Sequence, residues 1–238
     1  MSSYYDIHTH IVPEVDDGSE SIEESMEMLR QMCEQGVSNI VATPHYPDGD
    51  SKNIKQMFQK LQECAKEKYP DIKLYLGNEI LDGPGVIDAL KDGRALTIAG
   101  TRYILVEFLP KDSSRKIYAS LREYISNGYI PIVAHIERYE NVCKNPDFLD
   151  EIIKMGAYIQ MNTSSLVGNI FNRQAAQCRK LLTNGYIHFL GSDCHGAKIR
   201  KPFMKDIAKS LNAEFLDSNL AKKILYDNPA KMLEDKYI

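Results

Sequence analysis

The chain has 238 residues, of which 43% are hydrophobic and 26% charged, a composition that supports a sizeable core and excludes wholesale disorder. Lys and Arg number 29 against 33 Asp and Glu, so the net charge is −4 and nucleic acid is not an expected partner. No apolar run approaches the ~18 residues of a membrane helix, and the start MSSYYDIHTH lacks the pattern of a secretory signal. Five scattered cysteines without a CxxC pair indicate a reducing compartment. We therefore expect a cytoplasmic protein without membrane insertion.

Apolar stretches of strand length alternate with amphipathic stretches along the chain. The predicted strands cover residues 4–8, 37–43, 72–77, 102–108, 130–135, 157–161 and 187–191. The predicted helices cover residues 21–35, 54–68, 114–127, 147–155 and 171–184. A helical tail is predicted over 203–235, with an interruption near Asn228 and Pro229. No linker divides the chain, so we predict one domain over 1–238, with a mainly parallel sheet that is either a barrel or doubly wound.

Side chains that bind metals follow the ends of the predicted strands. They are His8, His10, His45, Glu79, Glu107, His135, Asp193 and His195. Any one of them alone would usually be a loop residue or a helix cap. His8 and His10 are two residues apart on a strand and so point to the same side, as do Asp193 and His195. Because the carboxyl ends of parallel barrel strands meet on one face, we expect these side chains to converge on a metal site.

The predicted ligands are imidazoles and carboxylates, which suit Mn²⁺, Zn²⁺ or Fe²⁺ better than a soft ion. They are too many for one ion, so we predict two or three divalent ions, with Glu79 able to bridge two of them. Paired ions about 3.5–4 Å apart lower the pKa of a shared water and hold the oxygens of a displacement at phosphorus. Arg138 and Arg200 lie near these ligands in the sequence. Guanidinium groups match phosphate oxygens, which favours a phosphate ester as substrate.

Six stretches, in this order, resemble the metal-dependent tyrosine phosphatases of the polymerase and histidinol phosphatase (PHP) superfamily, the CpsB/YwqE type. They are DIHTHIVPEVDDGS (6–19), ATPHY (42–46), GNEI (77–80), YILVEF (103–108), PIVAHIERY (131–139) and GSDCH (191–195). The resemblance implies an α/β protein with the PHP fold, a distorted TIM-like (β/α)7 barrel. Its metal site is expected at the C-terminal ends of the strands.

The resemblance also implies how the ligands divide among three ions. The first set is His8, His10, Glu79 and Asp193, the second is Glu79, Glu107 and His135, and the third is His45, His195 and one aspartate of the pair Asp16 and Asp17. We favour Asp17, which directly precedes Gly18. Arg138 and Arg200 match the catalytic positions that bind phosphate, and Mn²⁺ is the first choice of ion, with Zn²⁺ or Fe²⁺ as alternatives.

The activity implied is hydrolysis of phosphotyrosine in a protein by a hydroxide that bridges the ions. The expected substrate is the tyrosine-rich tail of a bacterial tyrosine kinase that regulates capsular or exopolysaccharide synthesis. Alternatives are a small-molecule phosphomonoesterase such as a histidinol phosphatase, and a non-catalytic, metal-stabilised interaction protein. Cys194 and Arg200 also have the C-x5-R spacing of thiolate phosphatases, but the loop between them has one glycine, too few for a phosphate cradle. Self-association into a homo-oligomer stays open.

Overall fold

The computed structural model describes residues 3–167, 172–204 and 218–238. Within these ranges the strands are β1 (Tyr4–Thr9), β2 (Val37–Ala42), β3 (His45–Tyr46), β4 (Lys73–Leu76), β5 (Glu79–Leu81), β6 (Tyr103–Glu107), β7 (Ile130–Val133), β8 (Tyr158–Asn162) and β9 (Phe189–Gly191). The α-helices are α1 (Ile22–Glu34), α2 (Ser51–Lys68), α3 (Val86–Asp92), α4 (Ser114–Ser126), α5 (Glu140–Cys143), α6 (Pro146–Met155), α7 (Arg173–Thr183), α8 (Ser218–Lys222) and α9 (Asn228–Leu233). Short 3-10 turns cover Ile98–Gly100, Ile136–Arg138 and Thr163–Leu166, and a π turn covers Lys223–Asp227.

The strands form two parallel sheets, and the chain passes twice from a strand of the first sheet directly into a strand of the second. One sheet has the order β1-β2-β4, and the other has the order β3-β5-β6-β7-β8-β9. The chain bends at Thr43 and Pro44 between β2 and β3, and at Gly77 and Asn78 between β4 and β5. The predicted strands 37–43 and 72–77 thus correspond to β2 and β4. Each is followed, after the bend, by a short strand of the second sheet, β3 or β5, that is not among the predicted strands.

The last strand returns beside the first. Thr9 and Cys194 form a parallel bridge, and the Asp193 N–H donates to the His8 carbonyl at 2.9 Å. With β2 continued by β3 and β4 continued by β5, the strands follow one another around a distorted seven-stranded barrel. This confirms the predicted TIM-like α/β fold. Strands such as β6 are buried on both faces, as near-continuous apolar strands between helices must be.

Helix α1 illustrates how the sequence sets the local structure. Ser21 caps it, accepting a hydrogen bond from the Glu24 N–H at 3.2 Å. Its apolar side chains Met28, Leu29 and Met32 recur at helical spacing and are fully buried against the barrel. The opposite side of the helix carries charged residues that face solvent.

The C-terminal region departs from the predicted helical tail. Residues 203–204 are not helical, and 205–217 lie outside the described residues. The predicted interruption near Asn228 and Pro229 takes the form of a π turn. The α-helical hydrogen bonding stops over Lys223–Asp227, and a new α-helix begins at Asn228 with Pro229 in its first turn, where proline is tolerated. Within the described ranges, none of the helices has the length and apolar character to span a bilayer. One domain over the whole chain stays a prediction.

Candidate metal centre

The predicted ligands converge at the carboxyl ends of the strands. Three groups of side chains each have ligand atoms that all lie within 4.8 Å of one another. The groups are His8, His10, Glu79 and Asp193; His10, Asp17, His45 and His195; and His45, Glu79 and Glu107. The remaining predicted ligand, His135, contacts two members of these groups. The structure thus brings all nine predicted ligands together on one face of the barrel.

The first group has the geometry of one ion's ligand set. His8 Nε2 and His10 Nε2 are 3.2 Å apart, and Glu79 Oε2 lies 3.1 and 3.2 Å from them. Asp193 Oδ1 is 3.5 Å from each of the two nitrogens. Four ligands at ~2.0–2.1 Å from one ion stand roughly 3.3–3.4 Å from one another in a tetrahedron. The observed separations therefore fit a single divalent ion.

Glu79 offers its two carboxylate oxygens to different neighbours. Besides the first group, Oε2 lies 3.3 Å from His45 Nδ1. Oε1 lies 2.7 Å from His135 Nε2, which is itself 3.4 Å from Glu107 Oε1. Glu79 therefore stands between the first group and the pair of His135 and Glu107, which is the position of a bridging carboxylate.

The two neighbouring aspartates play different parts. Asp17 is 64% exposed, and its Oδ1 lies 3.4 Å from both His45 Nε2 and His195 Nε2. Asp16 instead accepts hydrogen bonds from His10 Nδ1 at 2.8 Å and from the His45 backbone N–H at 3.0 Å. A carboxylate behind a ligand histidine fixes the ring orientation and directs its other nitrogen to the ion. This geometry favours Asp17 as the ligand and Asp16 as the support of His10.

Two buried atoms of the centre have no hydrogen-bond partner in the described part of the chain. They are Asp193 Oδ1 and His195 Nε2. Their residues are only 4% and 7% exposed. An unpaired buried polar atom costs about 1–3 kcal/mol, so the two atoms indicate a bound group. Since both belong to the predicted ligand set, the donor chemistry and the unpaired atoms together fit divalent metal ions.

The charged forms of these side chains stabilise one another. Burial raises the pKa of Glu79, but the charge of His8 and hydrogen bonds from His10 and His135 outweigh it and hold the pKa well below its usual range. Burial lowers the pKa of His10, but its interactions with the carboxylates of Asp16, Asp193 and Glu79 raise it well above its ordinary value. Ions that bind here must therefore displace protons from the imidazoles.

The backbone of the centre is strained at three positions. His135, Asp193 and Arg200 have positive φ angles of 29°, 51° and 49°. Such conformations cost a non-glycine residue about 1–3 kcal/mol and concentrate at functional sites. At His135 the backbone N–H donates to Gln160 Oε1 at 2.6 Å, which helps to hold the unusual conformation.

Two glycines allow neighbouring segments to lie very close to His8 and His10. A Cβ at Gly191 would lie 2.5 Å from His8 Cβ, and a Cβ at Gly18 would lie 2.6 Å from His10 Cβ. Any larger residue would therefore push β9, or the loop with Asp16, away from these histidines. The two glycines set the positions of the elements that carry the other ligands.

Both predicted arginines lie at the mouth of the centre beside Asp193. Arg138 Nη2 donates to Asp193 Oδ2, and its Nη1 lies 3.7 Å from Glu107 Oε1. Arg200 Nη2 lies 2.9 Å from Asp193 Oδ1, an ionic contact without hydrogen-bond geometry. The side chains are 40% and 42% exposed. Each guanidinium is therefore within reach of the solvent side of the centre.

Two supporting residues were missed from the sequence. Gln160 Oε1 contacts His8 Nδ1 at 3.3 Å as well as the His135 N–H, and Asn162 Nδ2 donates to Asp193 Oδ2 at 2.8 Å. The two amides are joined by a 2.9 Å hydrogen bond from Gln160 Nε2 to Asn162 Oδ1. Their signal is a pair of polar residues, two apart: Gln160 lies inside the otherwise apolar strand predicted at 157–161, and Asn162 directly follows it.

The alternative thiolate centre is not supported. Cys194 is fully buried, and burial raises the pKa of its thiol well above the ordinary value. A nucleophilic cysteine needs a lowered pKa and an accessible sulfur. The spacing of Cys194 and Arg200 therefore does not form a thiolate phosphatase site.

The chain is similar to proteins of known type. The sequence model described as "Capsular polysaccharide synthesis, CpsB/CapC" matches residues 4–234. Tyrosine-protein phosphatase CpsB of Streptococcus pneumoniae is 33% identical over 242 residues, which cover 98% of this chain and 99% of that protein. Tyrosine-protein phosphatase YwqE of Bacillus subtilis is 33% identical over 219 residues, covering 88% of this chain and 84% of that protein.

The structural similarity agrees with the sequence similarity. A structure described as "Crystal structures of YwqE from Bacillus subtilis and CpsB from Streptococcus pneumoniae, unique metal-dependent tyrosine phosphatases" aligns with a TM-score of 0.88. The alignment covers 98% of this chain and 96% of the other at 28% identity. The match therefore extends over the barrel and the elements that carry the centre.

Proposed function

The chain belongs to the CpsB/CapC family of capsular polysaccharide synthesis proteins, and on this premise we propose that it is a metal-dependent protein-tyrosine phosphatase. The observation that carries the proposal is the first group of ligand atoms, 3.1–3.5 Å apart around one point at the barrel mouth. Two arginines lie directly beside it. A cation cluster with adjacent guanidinium groups is suited to hydrolysis of a phosphate ester.

We propose that two or three divalent ions occupy the centre, with Mn²⁺ as the first choice and Zn²⁺ or Fe²⁺ as alternatives. The first ion would be held by His8, His10, Glu79 and Asp193, the second by Glu79, Glu107 and His135, and the third by Asp17, His45 and His195. When bound, such ions supply positive charge for the phosphate oxygens and lower the pKa of a water.

The arginines bind the phosphate group. In this structure Arg138 and Arg200 both neutralise Asp193. Both side chains are also 40% and 42% exposed, so their remaining N–H groups would be available to phosphate oxygens. Their charge then stabilises the negative charge that develops on those oxygens in the transition state.

Tyrosine is a favourable leaving group for this site. Its phenol has a pKa of about 10, so a phenolate leaves with less help from a general acid than the alkoxide of serine or threonine. Asp16 and the Gln160 and Asn162 pair hold the histidines and Asp193 in place throughout. The chain's own residues thus bind and orient the ester without a covalent intermediate.

The shape of the site favours a protein substrate. A cavity of about 790 Å³ begins at Asp17, His195 and Arg200 and extends along the N-terminal end of α1. This open groove has room for the residues that flank a phosphotyrosine. We propose the tyrosine-rich tail of a bacterial tyrosine kinase as the substrate, which agrees with the family's description in capsular polysaccharide synthesis.

We also propose that the protein acts in the cytoplasm, where such a tail would be reached. Its five cysteines are all free, as a reducing compartment requires. A homo-oligomer stays a proposal that sedimentation of the purified protein would test.

The experiment compares three substrates with chelated and Mn²⁺-reloaded protein: a phosphotyrosine peptide, the same peptide with phosphoserine, and histidinol phosphate. We expect hydrolysis that needs the ion and that favours the phosphotyrosine peptide. Preference for histidinol phosphate would replace the proposal by a small-molecule phosphatase. No hydrolysis of any ester with Mn²⁺ present would favour a metal-stabilised interaction protein.

A further inference from the structure

The segment that carries Arg200 (residues 196–204, here the Arg200 segment) has neither helix nor strand of its own. Lys198, Ile199 and Arg200 are exposed, Ile199 to 82%, whereas Pro202 and Met204 at the end of the segment are buried, so burial fixes that end but not the part that carries Arg200. Its closing hydrogen bond runs from the His195 N–H to the Arg200 carbonyl at 3.0 Å. The position of the part that carries Arg200 must therefore depend on hydrogen bonds between the segment's backbone and neighbouring side chains.

Two side chains of α1 and the side chain of its C-cap residue form hydrogen bonds with the backbone of this segment. Glu24 Oε1 accepts from the Ala197 N–H at 3.1 Å, and Gln31 Nε2 donates to the Ala197 carbonyl at 2.9 Å. Gln35, the C-cap residue of α1, donates to the Pro202 carbonyl at 2.9 Å and accepts from the Met204 N–H at 2.8 Å. The contacts bracket Arg200 on both sides.

The spacing of the three side chains places them all on the side of α1 that faces the segment. Positions 24, 31 and 35 differ by seven and four residues, so they lie on one side of an α-helix. Gly196 lets the segment come this close: a Cβ there would lie 2.9 Å from Glu24 Oε1 and 3.2 Å from the Ile199 carbonyl oxygen. The absence of a side chain at Gly196 and the hydrogen bonds together hold the segment against α1.

We propose that Glu24, Gln31 and Gln35 are positioning residues that place the Arg200 guanidinium at the phosphate site. The inference rests on the proposed function, in which Arg200 binds phosphate. The N-terminal end of α1, where Glu24 lies, follows the loop that carries Asp17. The same helix therefore joins a predicted metal ligand to a phosphate-binding arginine, and it sets the distance between them.

The test measures inorganic phosphate binding by calorimetry, and kcat/KM on a phosphotyrosine peptide, with the Mn²⁺-loaded protein. Glu24→Ala removes the acceptor for the Ala197 N–H, and we expect phosphate affinity and kcat/KM to fall about tenfold, the effect of one charge-assisted hydrogen bond. Glu24→Gln keeps one acceptor oxygen, which can still face the Ala197 N–H, but loses the second, which accepts from the Glu20 N–H at 3.0 Å. We therefore expect it to restore part of both. Glu34→Ala, near the other end of α1 and with a 60% exposed side chain that contacts Arg30, is the matched control.

A double-mutant cycle with Arg200→Ala decides whether Glu24 acts through the arginine. We expect Glu24→Ala to change phosphate affinity less than twofold once Arg200 is absent. Equal losses with and without Arg200 would overturn the proposal, because Glu24 would then act independently. If Glu24→Ala does not fold, Gln35→Ala takes its place in the cycle with the same expectation. A wild-type protein that hydrolyses no phosphotyrosine would overturn the proposed function itself, and the inference with it.

Discussion

Glu79→Gln is expected to remove ion binding from the centre while the barrel stays folded. Glu79 is 1% exposed, and its two oxygens lie 2.7–3.3 Å from four imidazoles, those of His8, His10, His45 and His135. The amide has the same size and keeps one carbonyl oxygen. It loses the negative charge and directs an NH₂ group at nitrogens that would otherwise face a ligand oxygen.

The magnitude follows from the burial of the group. Removing one partner of a buried charge network costs about 3–5 kcal/mol. At about 1.4 kcal/mol for each factor of ten, ion affinity should fall roughly a hundredfold to several thousandfold. We expect kcat/KM to fall at least as far at a fixed, subsaturating Mn²⁺ concentration.

The assay is the metal content after dialysis, measured by mass spectrometry, together with a Mn²⁺ titration of phosphotyrosine hydrolysis. Glu107→Gln is the matched control, because Glu107 is 21% exposed and lies 3.4 Å from a single ligand imidazole, that of His135. We expect it to lose less affinity, up to about fivefold. If Glu79→Gln kept the wild-type metal content and activity, Glu79 would not bridge ions and the reasoning would be refuted.

Three other substitutions test different parts of the structure. Cys194→Ala should keep turnover within about threefold, because the thiol is fully buried. Loss of turnover in this variant, together with wild-type activity that survives removal of metal by a chelator, would restore the thiolate alternative. Gly191→Ala places a Cβ 2.5 Å from His8 Cβ and should lower the free energy of unfolding by about 1–3 kcal/mol; unchanged urea unfolding would contradict this close approach. Burial lowers the pKa of His188 to about 4, so the unfolded chain binds the proton first and stability falls as the pH drops from about 6.5 to about 4. When unfolding is compared at pH 7 and pH 4.5, His188→Asn should lack that loss, worth about 2 kcal/mol between these two pH values.

The convergence of ligands was predictable because it depends on short-range patterns repeated along the chain. His8 and His10 show the alternation of a strand, and His45 and Glu79 each follow an apolar stretch. In a parallel barrel the ends of all strands meet on one face, so a correct order of strands brings their last residues together. The α/β class and eight of the nine predicted ligands could be read from the sequence in this way, whereas the choice of a barrel over a doubly wound sheet, and Asp17 as the ninth ligand, came from the resemblance to the family.

Features that depend on the direction of one side chain could not be read in this way. Asp16 and Asp17 are adjacent and chemically identical, and only the turn before α1 directs one to His10 and leaves the other facing His45. The amide of Gln160 is an ordinary polar residue until its contact with His8 is seen. The form of the interruption near Pro229, a π turn, has no simple sequence pattern.

The central claim is that side chains from separate strands hold a cluster of divalent ions, and anomalous scattering from crystals grown with Mn²⁺ tests it most directly. The account predicts two or three manganese peaks, one of them coordinated by His8, His10, Glu79 and Asp193. A map with no peak among these four side chains, from protein that still hydrolyses phosphotyrosine in the same Mn²⁺ solution, would contradict it.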